Sequence, residues 1–353
     1  MKARGKVRKY VMSKKLGLAV CLILVLLSLF AIFIFKSINK GETDDQSKLV
    51  VVSPHPTEFM IPLIQEFENE TGISVELRSY GTKEAIECIT KDENIDILWG
   101  GSLLAVGPYK DYFKEYKTEN RSAFMGEFRA VEDEFTCFSN VPSVIVVNKD
   151  IIGDIEIKGY KDLLNEELKG CIAYADPGKS SSSFEHLVNM LYAMGDGDPD
   201  KGWEYVDKFI YNLDGTVLDS SSQVYQGVAD GKFKVGLTFE EAAVTMIKND
   251  KHIEIIYMEE GVVSTPDGIY INKNSKRQEN AQKFVDFMTS KDAQRYMASD
   301  LGRRSVRGDV GASDLVIPLY KIKRISVDKD EVIKKQNEWI EKFNKIKEGA
   351  SYE

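Results

Sequence analysis

Beyond residue 47 the chain alternates short apolar runs with longer stretches of helical period. Residues 48–53 (KLVVVS) form a continuous apolar run, the mark of a buried strand. Residues 57–71 carry apolar side chains at helical spacing and stop at Gly72. A strand at 73–79, a helix at 82–90 and a strand at 95–99 follow. The rhythm resumes with strands at 144–148 and 170–175, and with a serine-capped helix after Asp176-Pro-Gly178. Helices are expected at 203–211 and 223–230, strands at 234–239, 253–257 and 268–272, and helices at 280–289 and 292–299. A Lys/Glu-rich amphipathic helix closes the chain at 327–347. Strands alternating with helices predict an α/β fold around a mostly parallel sheet. No repeat of 20–50 residues occurs, which argues against solenoids and propellers. Roughly 310 residues exceed what one core supports, so two lobes are expected.

The N-terminus follows a different pattern. Residues 16–35 are twenty uncharged residues, preceded by Lys2, Arg4, Lys6, Arg8, Lys9, Lys14 and Lys15. Such a helix would be about 30 Å long, enough to cross a bilayer, and the cations place its start in the cytosol. The run is longer than a secretory core, and bulky residues stand where cleavage needs small ones. A retained single-pass anchor in the cell membrane is therefore expected, ahead of a cleaved signal or a lipidated Cys21. The expected organisation is a basic cytosolic arm (1–15), an anchor (16–35), a tether (36–47), lobe one (48–148 with 263–320), lobe two (149–262) and a C-terminal helical segment (321–353), all beyond the anchor being extracellular.

Charge is split along the same boundary. The whole chain carries −9, yet residues 1–40 hold nine Lys/Arg and no acid, leaving 38 basic and 56 acidic groups, or −18, in the remainder. A domain at −18 argues against nucleic-acid binding. Cys88, Cys137 and Cys171 are odd in number and show no metal-ligand spacing; they read as small buried hydrophobes.

Candidate chemistry gathers at the strand-to-helix junctions, where open α/β sheets bind ligands. Asp176-Pro-Gly-Lys-Ser-Ser-Ser-Ser-Phe-Glu185 sets four serines at a helix start, where free N–H groups and the helix dipole favour an anion. Ser182 and Glu185 also fit a capping box, so simple capping stays open. Ser220-Ser-Ser-Gln223, Trp99-Gly-Gly-Ser102 and Ser79-Tyr-Gly-Thr82 repeat the theme. Thr238 and Glu241 match a second capping box, which leaves Glu240 free to accept from ligand hydroxyls. Thr265-Pro-Asp-Gly268 reads as a turn, with Asp267 a turn carboxylate or a second acceptor. His55 follows the first strand, while His186 and His252 lie away from any junction. No nucleophile elbow, P-loop, zinc motif or Rossmann fingerprint occurs, so no enzyme is expected.

These junctions carry a resemblance. The stretch 49–344 resembles extracellular solute-binding proteins of ABC transporters, of the ferric-ion-type cluster with the class II periplasmic-binding-protein fold. SPHP (53–56), WGGS (99–102), NVPS (140–143), DPGKSSSSFEH (176–186), GVADG (227–231), GLTFEEA (236–242) and TPDGIYI (265–271) look most like its hexose-phosphate-binding branch. The resemblance implies two lobes joined by two hinge strands and a phosphate held by Thr82, Ser102, Ser181, Ser182 and Ser183. It implies a sugar read by Ser53, His55, Asp219, Ser221, Glu240 and Asp267. Iron-binding relatives use two adjacent tyrosines where this chain has Glu240-Glu241-Ala242, so a ferric site is the lesser alternative, and no metal or other cofactor is expected. The implied protein is a monomer that delivers a phosphorylated sugar to an ABC permease; the alternative is a membrane-anchored sensor serving a histidine kinase.

Overall fold

The computed structural model describes residues 47–129 and 134–350. The basic arm, the apolar run 16–35 and the tether up to residue 46 lie outside the described residues. Among the described residues no helix is long and apolar enough to cross a membrane.

In chain order the main elements are β1 (Lys48–Ser53), α1 (Thr57–Thr71), β2 (Ser74–Ser79), α2 (Thr82–Lys91), β3 (Ile97–Ser102), β4 (Thr136–Asn148), β5 (Ile172–Ala173), α3 (Ser181–Met194), α4 (Pro199–Leu213), α5 (Ser221–Ala229), β6 (Val235–Phe239), α6 (Glu240–Lys248), β7 (Ile253–Ile256), β8 (Ser264–Ile271), α7 (Gln278–Thr289), α8 (Lys291–Ser299), β9 (Arg304–Ser305) and α9 (Lys329–Ala350). The strands run in the order β2-β1-β3-β8-β4-β6-β5, with β7 and β9 also paired to β4. β1–β3 and β5–β6 are parallel, whereas each pair involving β4 or β8 is antiparallel. The expectation of a mostly parallel sheet is thus corrected: two long strands run against their neighbours through the middle.

β4 is what joins the two lobes. Its first part, through Pro142, pairs with β8; from Ser143 to Asn148 it pairs with β6 and β7. Pro142, which has no N–H to give to a ladder, stands where the partners change. Two sets of cores flank the sheet accordingly. In β1, Leu49 and Val51 face a cluster with Phe59, Phe67, Trp99 and Phe284, while Val50 and Val52 face another with Ile86, Phe135 and Tyr270. In the second part of β4, Ile145 and Val147 face a large cluster with Tyr174, Leu187 and Phe209; Val144 and Val146 face Val224 and Ala243. Burial on both faces is why these strands read as unbroken apolar runs. α9 seals the second lobe with Val332, Trp339 and Phe343, its Trp339 ring lying 6.4 Å from that of Tyr192.

Two local expectations give way. Thr265-Pro-Asp-Gly268 is not a turn but the middle of β8, held straight by β3 on one side and β4 on the other. Of the cysteines only Cys137 is fully buried; Cys88 and Cys171 are half-buried, and all three are free thiols.

Candidate functional site

A cleft of about 540 Å³ lies between the lobes. The starts of α2, α3 and α5 lie on it, beside that of α1 at Thr57 and Glu58. α2 is capped by Gly81, which offers no side chain, so its first-turn N–H groups have no partner within the helix. α3 is capped by Ser180, whose Oγ accepts from the Ser183 N–H at 3.5 Å. α5 is capped by Ser220, whose Oγ accepts from the Gln223 N–H at 3.4 Å. Ser181 and Ser182 on α3, and Ser221 and Ser222 on α5, line the cleft with the first turns of these helices, the Ser182 and Ser222 hydroxyls sharing hydrogen bonds with the caps Ser180 and Ser220. The capping box expected from Ser182 and Glu185 is therefore replaced: the cap is two residues earlier, and Glu185 is buried toward the cleft instead. Across the opening, Thr82 Oγ1 of the first lobe donates to Ser181 Oγ of the second at 3.1 Å. Lys179 and Asp219 form an exposed ion pair at 2.5 Å beside them.

The floor is ionic and dry. Arg303, just ahead of β9, is buried and lays its guanidinium 4.6 Å over the Phe59 ring. It reaches Asp267 Oδ2 at 3.2 Å, Glu241 Oε2 at 3.4 Å and the His55 ring at 3.3 Å. Burial, reinforced by Arg303, holds the His55 pKa well below the usual imidazole value, so the ring is neutral. Burial raises the Asp267 carboxyl, opposed by Arg303. Burial likewise pushes Glu185 up to about 7; the hydroxyls of Ser102 and Thr265, close to it but outside hydrogen-bond geometry, act in the other direction. Gly100, at φ +117°, leaves room for this arrangement: a Cβ there would lie 2.5 Å from His55 Nε2.

Thr82, Ser102, Ser181, Ser182, His55, Asp219, Ser221 and Asp267 are brought together around this one cleft. Three expected residues are placed elsewhere. Ser183 is wholly buried within the first turn of α3 and does not line the cleft, its N–H going to the Ser180 cap. Ser53 is spent on the fold, its Oγ donating to the Trp99 carbonyl at 2.5 Å. Glu240 is taken by a bidentate pair with Arg304, both contacts 2.7 Å, and by the Tyr257 hydroxyl. The expected Thr238–Glu241 capping box does not form either, since α6 has no side-chain cap. Arg303, Glu185 and Lys179 were not expected. The Gly-Arg-Arg-Ser run at 302–305 was the available signal for the first, and Lys179 lay inside the serine motif. Among the described residues no group of three or more His, Cys, Asp or Glu side chains is arranged to hold a metal ion.

The chain is similar in sequence and fold to several known proteins. The spermidine/putrescine-binding periplasmic protein of Escherichia coli K12 is 22% identical over 274 residues, covering 70% of this chain and 74% of that one. The periplasmic binding protein AfuA from Actinobacillus pleuropneumoniae, solved with exogenous fructose-6-phosphate bound, superposes with a TM-score of 0.77 at 21% identity over 85% of this chain and 98% of that one. A structure described as a two-component system protein mediating signal transduction has a TM-score of 0.69 at 28% identity, covering 80% of this chain and 95% of that one. The family model for bacterial extracellular solute-binding proteins matches residues 62–320, and the chain belongs to that family.

Proposed function

We propose that this protein captures a hexose phosphate, or a similar small phosphorylated metabolite, and hands it unchanged to an ABC importer. The observation that carries this reading is the convergence of the α2, α3 and α5 starts on one cleft, with Thr82 and Ser181 meeting across it at 3.1 Å. Free N–H groups and helix dipoles favour an anion there even though the exported part of the chain is strongly acidic. Neutral donors also suit a site that must let its ligand go. Thr82, Ser181 and Ser182 would hold the phosphate, and His55, Asp219, Ser221 and Asp267 the hydroxyls. AfuA, with fructose-6-phosphate in its structure, supports the ligand class. A ferric ion fits less well: His55 and Asp267 both face the Arg303 guanidinium, which would repel a trivalent cation.

The protein is proposed to act as a monomer, anchored by residues 16–35 with its binding domain outside the cell. A second reading has the same cleft report to a histidine kinase, favoured by the likeness to the two-component system protein. Deleting the gene separates the two: loss of labelled sugar-phosphate uptake supports the importer, loss of the transcriptional response with uptake capacity intact supports the sensor. The ligand class is tested by calorimetric titration of the chain in detergent with glucose 6-phosphate, inorganic phosphate, an aminophosphonate, spermidine and Fe³⁺. Heat with the phosphorylated compounds is expected; heat with only Fe³⁺ or only spermidine overturns the reading.

A further inference from the structure

Five carboxylates line the cleft: Glu58, Glu84, Glu185, Asp219 and Asp267. Asp219 has Lys179 and Asp267 has Arg303, while Glu58 and Glu84 stand exposed to water. Glu185 has neither: it is only 7% exposed and has no cation of its own. Beside it, the Ser102 and Thr265 hydroxyl oxygens are buried without a hydrogen-bond partner. A buried carboxyl group without a counter-charge, beside two hydroxyls without a partner, is costly unless something completes the recess.

From this trio we infer that the end of the ligand remote from its phosphate carries a primary ammonium group, received by Glu185 with Ser102 and Thr265. An ammonium has three donors and no acceptor, and three oxygen acceptors wait for it here. It also supplies the counter-charge that Glu185 lacks, in a cleft where Lys179 and Arg303 are already paired. The spacing agrees. Glu185 follows Ser181 and Ser182 by four and three residues, so it lies on the same face of α3 about 5 Å further along the helix. A hexose ring spans such an interval. The ligand class is therefore a phosphorylated amino sugar or a kindred amino-phosphate; this rests on the phosphate site proposed above.

The charged groups acting on Glu185 are Asp267 of β8, which raises its pKa, and Arg303 ahead of β9, which lowers it, against a burial effect that dominates both. An ammonium at this carboxylate favours the ionised form, so binding expels a proton at pH near or below 7. The chain in detergent is titrated at pH 6.5 with glucosamine 6-phosphate, glucose 6-phosphate and glucosamine, each in two buffers of different ionisation heat. Subtracting one sugar phosphate from the other removes the proton uptake or release of the phosphate itself. Glucosamine 6-phosphate is expected to bind at least about tenfold tighter and to release roughly half a proton more than glucose 6-phosphate. Glu185→Gln is expected to bring the two affinities within about threefold and to remove the extra proton; the wild-type proton difference stands as the test should that variant not fold. Equal affinity and equal proton release in the wild type overturn the amine but leave the phosphate site standing. Binding of glucosamine with neither phosphate ester would break the phosphate reading, and no binding by any of the three overturns both.

Discussion

At the rim of the cleft, α2, α3 and α5 present N–H groups and hydroxyls, and Lys179, which lines the rim just ahead of α3, is half-exposed and already paired with Asp219. At the floor, one guanidinium lies 3.2–3.4 Å from an imidazole and two carboxylates, buried against aromatic rings. The rim meets an incoming anion with partial charges that cost little to desolvate. The floor has its cation already paired with carboxylates before any ligand arrives, so its contribution is shape and orientation rather than attraction. A domain that is strongly acidic can bind an anion because the two tasks are kept apart.

Removing the balance at the floor has the largest expected effect. Arg303→Met leaves Asp267 and Glu241 buried without a counter-charge and should cost about 3–5 kcal/mol. Urea unfolding at pH 7 measures it, and an unchanged midpoint would show that the floor is not electrostatically balanced by Arg303. The next effect concerns pH. Glu185 is raised in the folded protein to about 7, so folding takes up its proton; the stability this gives is fully present below the unfolded pKa and is lost as pH rises through about 7. At ~1.4 kcal/mol per pKa unit the swing is on the order of 3 kcal/mol. His186, lowered to about 4 by burial, works the other way, its contribution being lost as pH falls from about 6.5 through about 4. The difference between wild type and Glu185→Gln across pH 4–8 isolates the carboxyl. Parallel stability curves would place Glu185 outside a buried environment.

The rim is expected to respond in binding alone. Ser182→Asp puts a like charge where the phosphate would sit and should weaken glucose 6-phosphate binding about a hundredfold. An acid in the first turn suits the helix dipole, so the melting temperature should not fall. Unchanged affinity would reduce the serine run to a cap. Smallest of all is Lys179→Ala. Its pair with Asp219 is solvated on both sides, and a loss under about fivefold at 150 mM salt is expected; a loss as large as that of Ser182→Asp would make the rim a site of full charge.

These two regions were also unequally legible. The rim could be read because a helix start is local chemistry: Asp176 to Glu185 contains the turn, the cap and the donors in one stretch. Even so the cap was misplaced by two residues, since four consecutive serines offer no sequence distinction between cap and first turn. At the floor, His55 and Asp267 were candidates from their places after a strand and in a polar run, and the family resemblance gave them a role. Arg303 was missed because it joins His55 from 248 positions away, and nothing around residue 303 announces that partner. The same holds for the fold. Helix α1 has the bounds its apolar spacing predicts, yet the first part of β4, with Thr136, Ser139 and Asn140 among its apolar residues, shows no strand pattern. It is a strand because β8 and β9 pair with it. Thr265-Pro-Asp-Gly268 carries turn chemistry and is overruled by the strands on either side.

The place of β8 in the sheet has a kinetic consequence. It lies between β3 and β4, although it is made more than a hundred residues after either. Until Ile271 has left the ribosome, β3 has an open edge and the first lobe cannot close its sheet. Long-range pairing of this kind is slow, because the loop must be ordered before the contact rewards it. The first lobe is consequently left without its completed sheet through most of the chain's synthesis, a state in which that part of the polypeptide can still be threaded across a membrane.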